Sequence, residues 1–200
     1  MNVLFLGDSN VGKTSLISNY TKTRPEATVG IGFYSTLMHS KFNNTKIIRI
    51  YEIAGAPYWN RYIKEYLDIC NTIFIVYDIT CLSSFDYAKK MIRNITDKTK
   101  KIILIGNKTD LFSRRQVFIY DVNKFLSECF NEGMVLFHVE TSKNNMDSFR
   151  RVFQKFCGPP VTEWENENVD SNRMVPPNIP KPTFIVEKKK NFMELFLELW

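Results

Sequence analysis

This chain offers little for thiol or imidazole chemistry. Its four cysteines, Cys70, Cys81, Cys129 and Cys157, are scattered and form no C-x-x-C pair, so neither a zinc site nor a redox motif is indicated. Reduced thiols in a cytosolic protein are the simplest expectation. The two histidines, His39 and His138, have no carboxylate or nucleophile pairing. They are expected to be strand residues with satisfied neighbours, not catalysts. No apolar run is long enough to cross a bilayer. No secretory leader is expected, because the first strand begins almost at Met1. There is also no basic stripe interleaved with aromatics, so nucleic acid is not an expected partner. The net charge of +6 reads as solvated surface lysines.

What is present begins at residue 7. Gly7-Asp8-Ser9-Asn10-Val11-Gly12-Lys13-Thr14 fits the spacing G-x-x-x-x-G-K-[ST]. It follows the apolar run Val3-Leu4-Phe5-Leu6 and precedes Ser15-Leu16-Ile17, which opens a helix. That strand–loop–helix context makes the pattern a phosphate-binding loop. The glycines let the backbone turn its N–H groups inward. The helix N-terminus adds a partial positive charge. Lys13 can reach β- and γ-phosphates, and the Thr14 hydroxyl can ligate Mg²⁺.

Two hundred residues suit one domain with an appendage. The pattern alternates strand and helix. Strands are predicted at 2–6, 31–42, 45–53, 72–78, 101–106 and 134–139, with helices at 13–20, 59–69, 84–96, 117–131 and 145–156. Asn43-Asn44 reads as the turn of the one antiparallel hairpin. Ser83 and Ser84 read as helix caps. The expected fold is α/β, a mostly parallel six-stranded sheet with one antiparallel strand and helices on both faces. Ligands in such folds sit outside the carboxyl ends of the strands, and each candidate motif directly follows a predicted strand.

The second motif, Gly106-Asn107-Lys108-Thr109-Asp110, follows a buried strand. Together with Gly7 to Thr14 it resembles the Ras superfamily of small GTPases. Tyr77-Asp78-Ile79-Thr80 and Glu140-Thr141-Ser142 look most like the Rab branch. The resemblance covers residues 1 to about 157 and implies the P-loop small G domain, GTP or GDP with Mg²⁺ as cofactors, and effectors and an exchange factor as partners. A monomer is expected. By resemblance Asp110 accepts both guanine donors, N1–H and N2–H₂, which adenine lacks as a pair. Asn107 braces the base edge and its own loop, and Lys108 lies along base and ribose. Thr28, in Thr28-Val29-Gly30-Ile31-Gly32-Phe33, is similar to the threonine that ligates Mg²⁺ and senses the γ-phosphate. Gly55 matches the glycine whose N–H meets that phosphate. Glu140-Thr141-Ser142-Lys143-Asn144 resembles the loop that braces guanine. Ser142 carries over to it, while Lys143 either replaces the family's alanine there or is the motif lysine itself.

Three departures from the family pattern stand out. The loop from Lys13 to Thr28 is short and has no clear counterpart of the aromatic that covers guanine. Its one aromatic, Tyr20, is expected to pack under the helix. Glu52 stands where the family has the Asp that holds Mg²⁺ through water. Ala56 stands where the family has the glutamine that orients the attacking water, and Pro57 further restricts the backbone there. Lys13 and Gly55 remain as transition-state contacts, with no confident catalytic residue beside them. The expectation is a GTP-binding switch, in vesicle trafficking or signalling, with very weak intrinsic hydrolysis. The alternative is a pseudo-GTPase scaffold. A nucleoside kinase is disfavoured, because Asn107 to Asp110 would have no role in it.

Composition changes after Cys157. Residues 158–182 hold six of the eight prolines, so 158–187 reads as an extended linker. Residues 188–200 run from Lys188-Lys189-Lys190 into an amphipathic stretch ending in Trp200. No cysteine follows Cys157 in this sequence, so prenylation is not expected. A peripheral membrane contact through 188–200 is weighed against packing on the domain or on a partner.

Overall fold

The computed structural model describes residues 1–25, 27–39 and 45–157. The predicted Asn43-Asn44 turn, linker 158–187 and segment 188–200 lie outside these residues.

Strand β1 (Asn2–Gly7) is central because its side chains are apolar on both faces. The order of the six-stranded sheet is β2-β3-β1-β4-β5-β6, with β2 Ile31–His39, β3 Thr45–Ile53, β4 Thr72–Asp78, β5 Lys101–Asn107 and β6 Leu136–Glu140. Only β2 runs antiparallel to its neighbour, which matches the one hairpin expected over 31–53. Successive residues of a strand face opposite sides, which divides the core in two. Leu4, Leu6, Ile73, Ile75, Ile102 and Leu104 meet α2 (Ile63–Ile69), α3 (Leu82–Arg93) and α4 (Ile119–Asn131) on one face. Phe5, Phe74, Ile103 and Ile105 meet α1 (Lys13–Thr21) and α5 (Asp147–Cys157) on the other.

Phe149 and Phe153 of α5 lie four residues apart and insert between β1 and α1. Phe74 stacks on Phe5 at 4.8 Å and on Phe153 at 5.3 Å. Tyr20 packs against Phe149 and Phe153, at 6.0 and 4.4 Å. It lies under the helix, as expected, and not over a base.

Some expectations change in detail. Residues 57–69 divide into a 3₁₀ helix, Pro57–Tyr62, and then α2. Helix α3 starts at Leu82, ahead of its predicted start, with Cys81 at the N-cap. Ser83 and Ser84 are therefore not caps. The Ser84 hydroxyl instead donates to the Cys81 carbonyl (2.7 Å) and accepts the Asp78 N–H (3.0 Å), tying the helix to the end of β4. Strand β6 begins at Leu136, because Gly133 at φ +80 turns the chain after α4 and the Met134 N–H is used by the Cys129 carbonyl.

His138 meets the Tyr77 hydroxyl at 3.1 Å through Nε2, consistent with a strand histidine that has a partner. Burial lowers its imidazole from the ordinary 6.5 to about 4. The unfolded chain therefore takes the proton first. This contribution to stability is complete above pH 6.5 and is lost as the pH falls toward 4, about 3 kcal/mol in all. Urea unfolding is expected to show this decline between pH 6.5 and 5, and His138→Gln is expected to flatten it. A variant with an unchanged slope would count against the buried neutral ring.

Candidate nucleotide and metal site

The loop after β1 is built on positive backbone φ. Gly7 sits at +140° and Gly12 at +96°. Asn10 is a left-handed residue at +61°, which asparagine tolerates better than most. A Cβ on Gly12 would lie 2.3 Å from Asn107 Nδ2. Only a glycine lets that amide come close enough to donate to the Val11 carbonyl, at 2.8 Å. Asn107 thus ties the phosphate loop to the second motif, a contact the sequence did not indicate. Its Oδ1 is buried without a hydrogen-bond partner among the described residues.

Lys13 folds back over the loop. Its ammonium donates to the carbonyls of Gly7 (3.0 Å) and Asp8 (2.8 Å). An ammonium has three donors, so one remains for a phosphate oxygen. Burial lowers the Lys13 pKa, opposed by the charges of Glu52 and Asp8. Val11 is buried and holds the loop to the core, whereas Ser9, Asn10 and Ser15 are exposed at its rim.

Thr14, Thr28 and Glu52 come from α1, from the segment before β2 and from β3, and they converge. The Thr14 hydroxyl donates to Glu52 Oε1 at 2.7 Å. The Thr28 hydroxyl donates to Oε2 at 2.9 Å. The two hydroxyl oxygens lie 3.2 Å apart. Neighbouring oxygens on an octahedral Mg²⁺, bound at ~2.0–2.1 Å, are separated by ~3 Å. With each proton directed to the carboxylate, both oxygens keep lone pairs for a cation. The donor set suits Mg²⁺, which takes few protein ligands and completes its shell with water and phosphate oxygens. Glu52 would then act behind the threonines, holding the metal's ligands and not the metal itself.

Gly55 lies against the phosphate loop. A Cβ there would come within 2.1 Å of the Ser9 nitrogen and 2.2 Å of the Asp8 carbonyl carbon. The main chain after β3 thus reaches the loop without a side chain between them. The Ala54 N–H donates to the Gly30 carbonyl at 2.9 Å, and the Trp59 ring covers Gly30, 3.1 Å from where a Cβ would be. Tyr87 of α3 donates to Asn60 Oδ1 at 2.7 Å and anchors the 3₁₀ helix. The segments around Thr28 and around Gly55 are therefore joined to each other. Ala56 and Pro57 are exposed beside them.

The remaining residues cluster at the ends of β5 and β6. Lys108, at φ +68°, pairs with Asp78 at 2.7 Å. Burial would raise the Asp78 pKa, but hydrogen bonds from Lys108 and Thr80 outweigh it and the pKa is lowered. Asp110 is exposed at the first turn of the 3₁₀ helix Thr109–Arg114. Ser142 is buried, and its N–H and carbonyl both pair with Asn145 at 3.2 Å. Lys143 and Asn144 form the exposed tip of that tight turn. The Thr109 N–H donates to the Thr141 carbonyl at 3.2 Å, joining the two loops.

Three further contacts were not foreseen. Arg115 grips Glu140 with both guanidinium nitrogens at 2.7 Å, bracing the loops from behind, and that pairing raises its pKa. The Lys108–Asp78 pair could have been suspected only from Asp78 ending the neighbouring strand. The third contact, Tyr34 to Glu52, required the register of the hairpin.

A family model described as the Ras family matches residues 2–158. The chain belongs to the Ras family. Among its relatives, Ras-related protein Rab-30 of Homo sapiens, Bos taurus and Mus musculus is in each case 27% identical over 178 residues, covering 85% of this chain and 84% of the relative. The six-stranded sheet with one antiparallel strand is that of a Ras-family small G domain. This Ras-family chain is thus a divergent, Rab-like small GTPase with a phosphate-binding loop. The family consists of guanine-nucleotide switches that in general hydrolyse GTP, so this chain carries the GTP-binding switch fold.

Proposed function

We propose that the chain binds GTP and GDP with Mg²⁺ and acts as a switch whose GTP state is long-lived. The observation that carries this reading is the meeting of Thr14 and Thr28 on the Glu52 carboxylate. Thr28 belongs to the first mobile segment that the reading requires, and Thr14 to the phosphate loop. A γ-phosphate with Mg²⁺ would hold the two together, and its loss would release the Thr28 segment. Gly55 supports the same reading from the second segment. In the bound state Lys13 and the loop N–H groups would hold the phosphates, and Asp110, Asn107 and Ser142 the base. Lys108 would leave or share Asp78 to lie along the base.

Partners would read the ordered segments. Phe33, exposed, touches Tyr51 at 5.4 Å, and Tyr51 touches Tyr66 at 5.1 Å, which gives an aromatic strip beside both. Such rings are favoured at protein interfaces. Effector and exchange-factor binding, cytoplasmic or membrane-peripheral placement, and a division at 157 and 187 belong to this proposal.

The second reading, a pseudo-GTPase scaffold, is favoured by Ala56, whose methyl group neither donates nor accepts. One experiment tests the binding that the switch reading requires: binding of fluorescent GTP, GDP and ATP to the purified chain, with and without Mg²⁺. The switch reading expects Mg²⁺-dependent binding of both guanine nucleotides and little of ATP. Absence of nucleotide binding would leave only the scaffold.

A further inference from the structure

The Glu52 carboxylate has a third donor. The Tyr34 hydroxyl donates to Oε2 at 3.1 Å, to the same oxygen that accepts Thr28. The hairpin register explains how a tyrosine reaches this point. Gly32 of β2 lies directly opposite Glu52 of β3, and Tyr34 lies opposite Ile50. Residues 32 and 34 share a face. A diagonal neighbour across an antiparallel pair is within reach of an aromatic side chain. Gly32 leaves the path open. A Cβ there would lie 3.2 Å from Tyr34 Cε2 and 3.3 Å from Thr28 Cγ2. The Tyr34 ring itself is half-buried and packs on the α1–α5 face of the core.

Glutamate at this position has one more rotatable bond than aspartate, and so more freedom to lose. Left alone, its carboxylate could swing away from Thr14 and Thr28. A ring fixed by packing, with its hydroxyl on Oε2, removes that freedom. We propose that Tyr34 is a positioning residue of the Mg²⁺ site, holding the longer Glu52 side chain so that each carboxylate oxygen takes one threonine hydroxyl. The proposal rests on the reading that Thr14 and Thr28 hold Mg²⁺. It makes Gly32, Tyr34 and Glu52 one unit, in which the longer acid is workable because a phenol meets it.

Loss of an outer partner of a metal's ligands, here Glu52, costs about 10–100-fold in metal affinity, and for Tyr34, which acts through Glu52, the low end of that range is the ceiling. The test uses the full chain loaded with a fluorescent, non-hydrolysable GTP analogue, the state in which Thr28 is held. The measured quantity is the Mg²⁺ concentration that halves the analogue's release rate found in EDTA. Tyr34→Phe is expected to raise this midpoint severalfold, up to about tenfold. Gly32→Val, which crowds the ring while keeping its hydroxyl, is expected to raise it as well. On a Glu52→Asp background, where the shorter acid lies beyond the phenol's reach, Tyr34→Phe is expected to add nothing. A Mg²⁺-responsive wild type with an unmoved Tyr34→Phe midpoint would overturn this proposal alone, and so would a lowered Tm without a midpoint shift, which is what a merely structural role produces. A wild type whose release of the GTP analogue ignores Mg²⁺ would overturn the metal reading, and this proposal with it.

Discussion

Replacing Asp110 by alanine is expected to erase the preference for GTP over ATP, a loss of about 10³-fold or more in relative affinity. The reason is chemical. A carboxylate can accept guanine N1–H and N2–H₂ together, and a site built to hydrogen-bond its ligand discriminates by about 10⁴–10⁵ against an analogue that leaves it unpaired. Asp110 is delivered by contacts of its neighbours in the chain. Lys108 takes left-handed φ, the Leu111 N–H returns to the Lys108 carbonyl at 2.9 Å, and Asn107 bonds the phosphate loop at 2.8 Å. None of these contacts uses the Asp110 carboxylate, and Asp110 is exposed. The fold should therefore tolerate the change, with Tm near that of the wild type. Competition of unlabelled GTP and ATP against a fluorescent guanine nucleotide measures the ratio. If Asp110→Ala kept the wild-type ratio, the base would be read by something other than this carboxylate.

Much of this architecture was legible because each layer has one simple cause. Val3 and Phe5 face one side while Leu4 and Leu6 face the other, so β1 had to be buried on both. The phosphate loop was legible because its glycines are demanded by backbone geometry, at Gly7 and Gly12. The start of α3 was not, because no side chain caps it, and Ser84 instead serves the end of β4. The 3₁₀ character of Pro57–Tyr62 was equally hidden, since apolar spacing does not separate it from an α-helix over so few residues. At the site, Thr14, Thr28 and Glu52 could be named from resemblance. Their mutual distances depend on pairing Gly32 with Glu52. A shift of one residue in that register would turn Tyr34 to the other face. The tyrosine therefore became visible only with the sheet. Lys108 shows a different limit. Its partner Asp78 ends the neighbouring strand, opposite Asn107, a proximity that exists only once β4 and β5 are paired.

Restoring glutamine at position 56 is expected to raise single-turnover GTP hydrolysis by about 10²-fold, the range associated with one transition-state hydrogen bond. The backbone can accept it. Ala56 has φ −69° and ψ 137°, an extended conformation open to glutamine and imposed by the following proline. The Ala56 carbonyl is already used by the Trp59 N–H at 3.0 Å, which fixes where a new side chain would start. Gly55 rests on the Asp8–Ser9 main chain and fixes the other side. Ala56 is exposed, so a longer side chain meets no packed core. A glutamine amide both donates and accepts and can orient a water toward the γ-phosphate. Ala56→Leu supplies the control, since it has similar bulk with no polar atom, and its rate should stay at that of the wild type. If the glutamine and leucine variants hydrolysed GTP equally slowly, the missing amide would not be the cause. Attention would then move to Pro57, which holds the segment at an angle that glutamine alone does not correct. A gain confined to glutamine would show that the rest of the catalytic frame is intact. It would place this chain among slow switches that retain the means of hydrolysis, and not among scaffolds that have lost it.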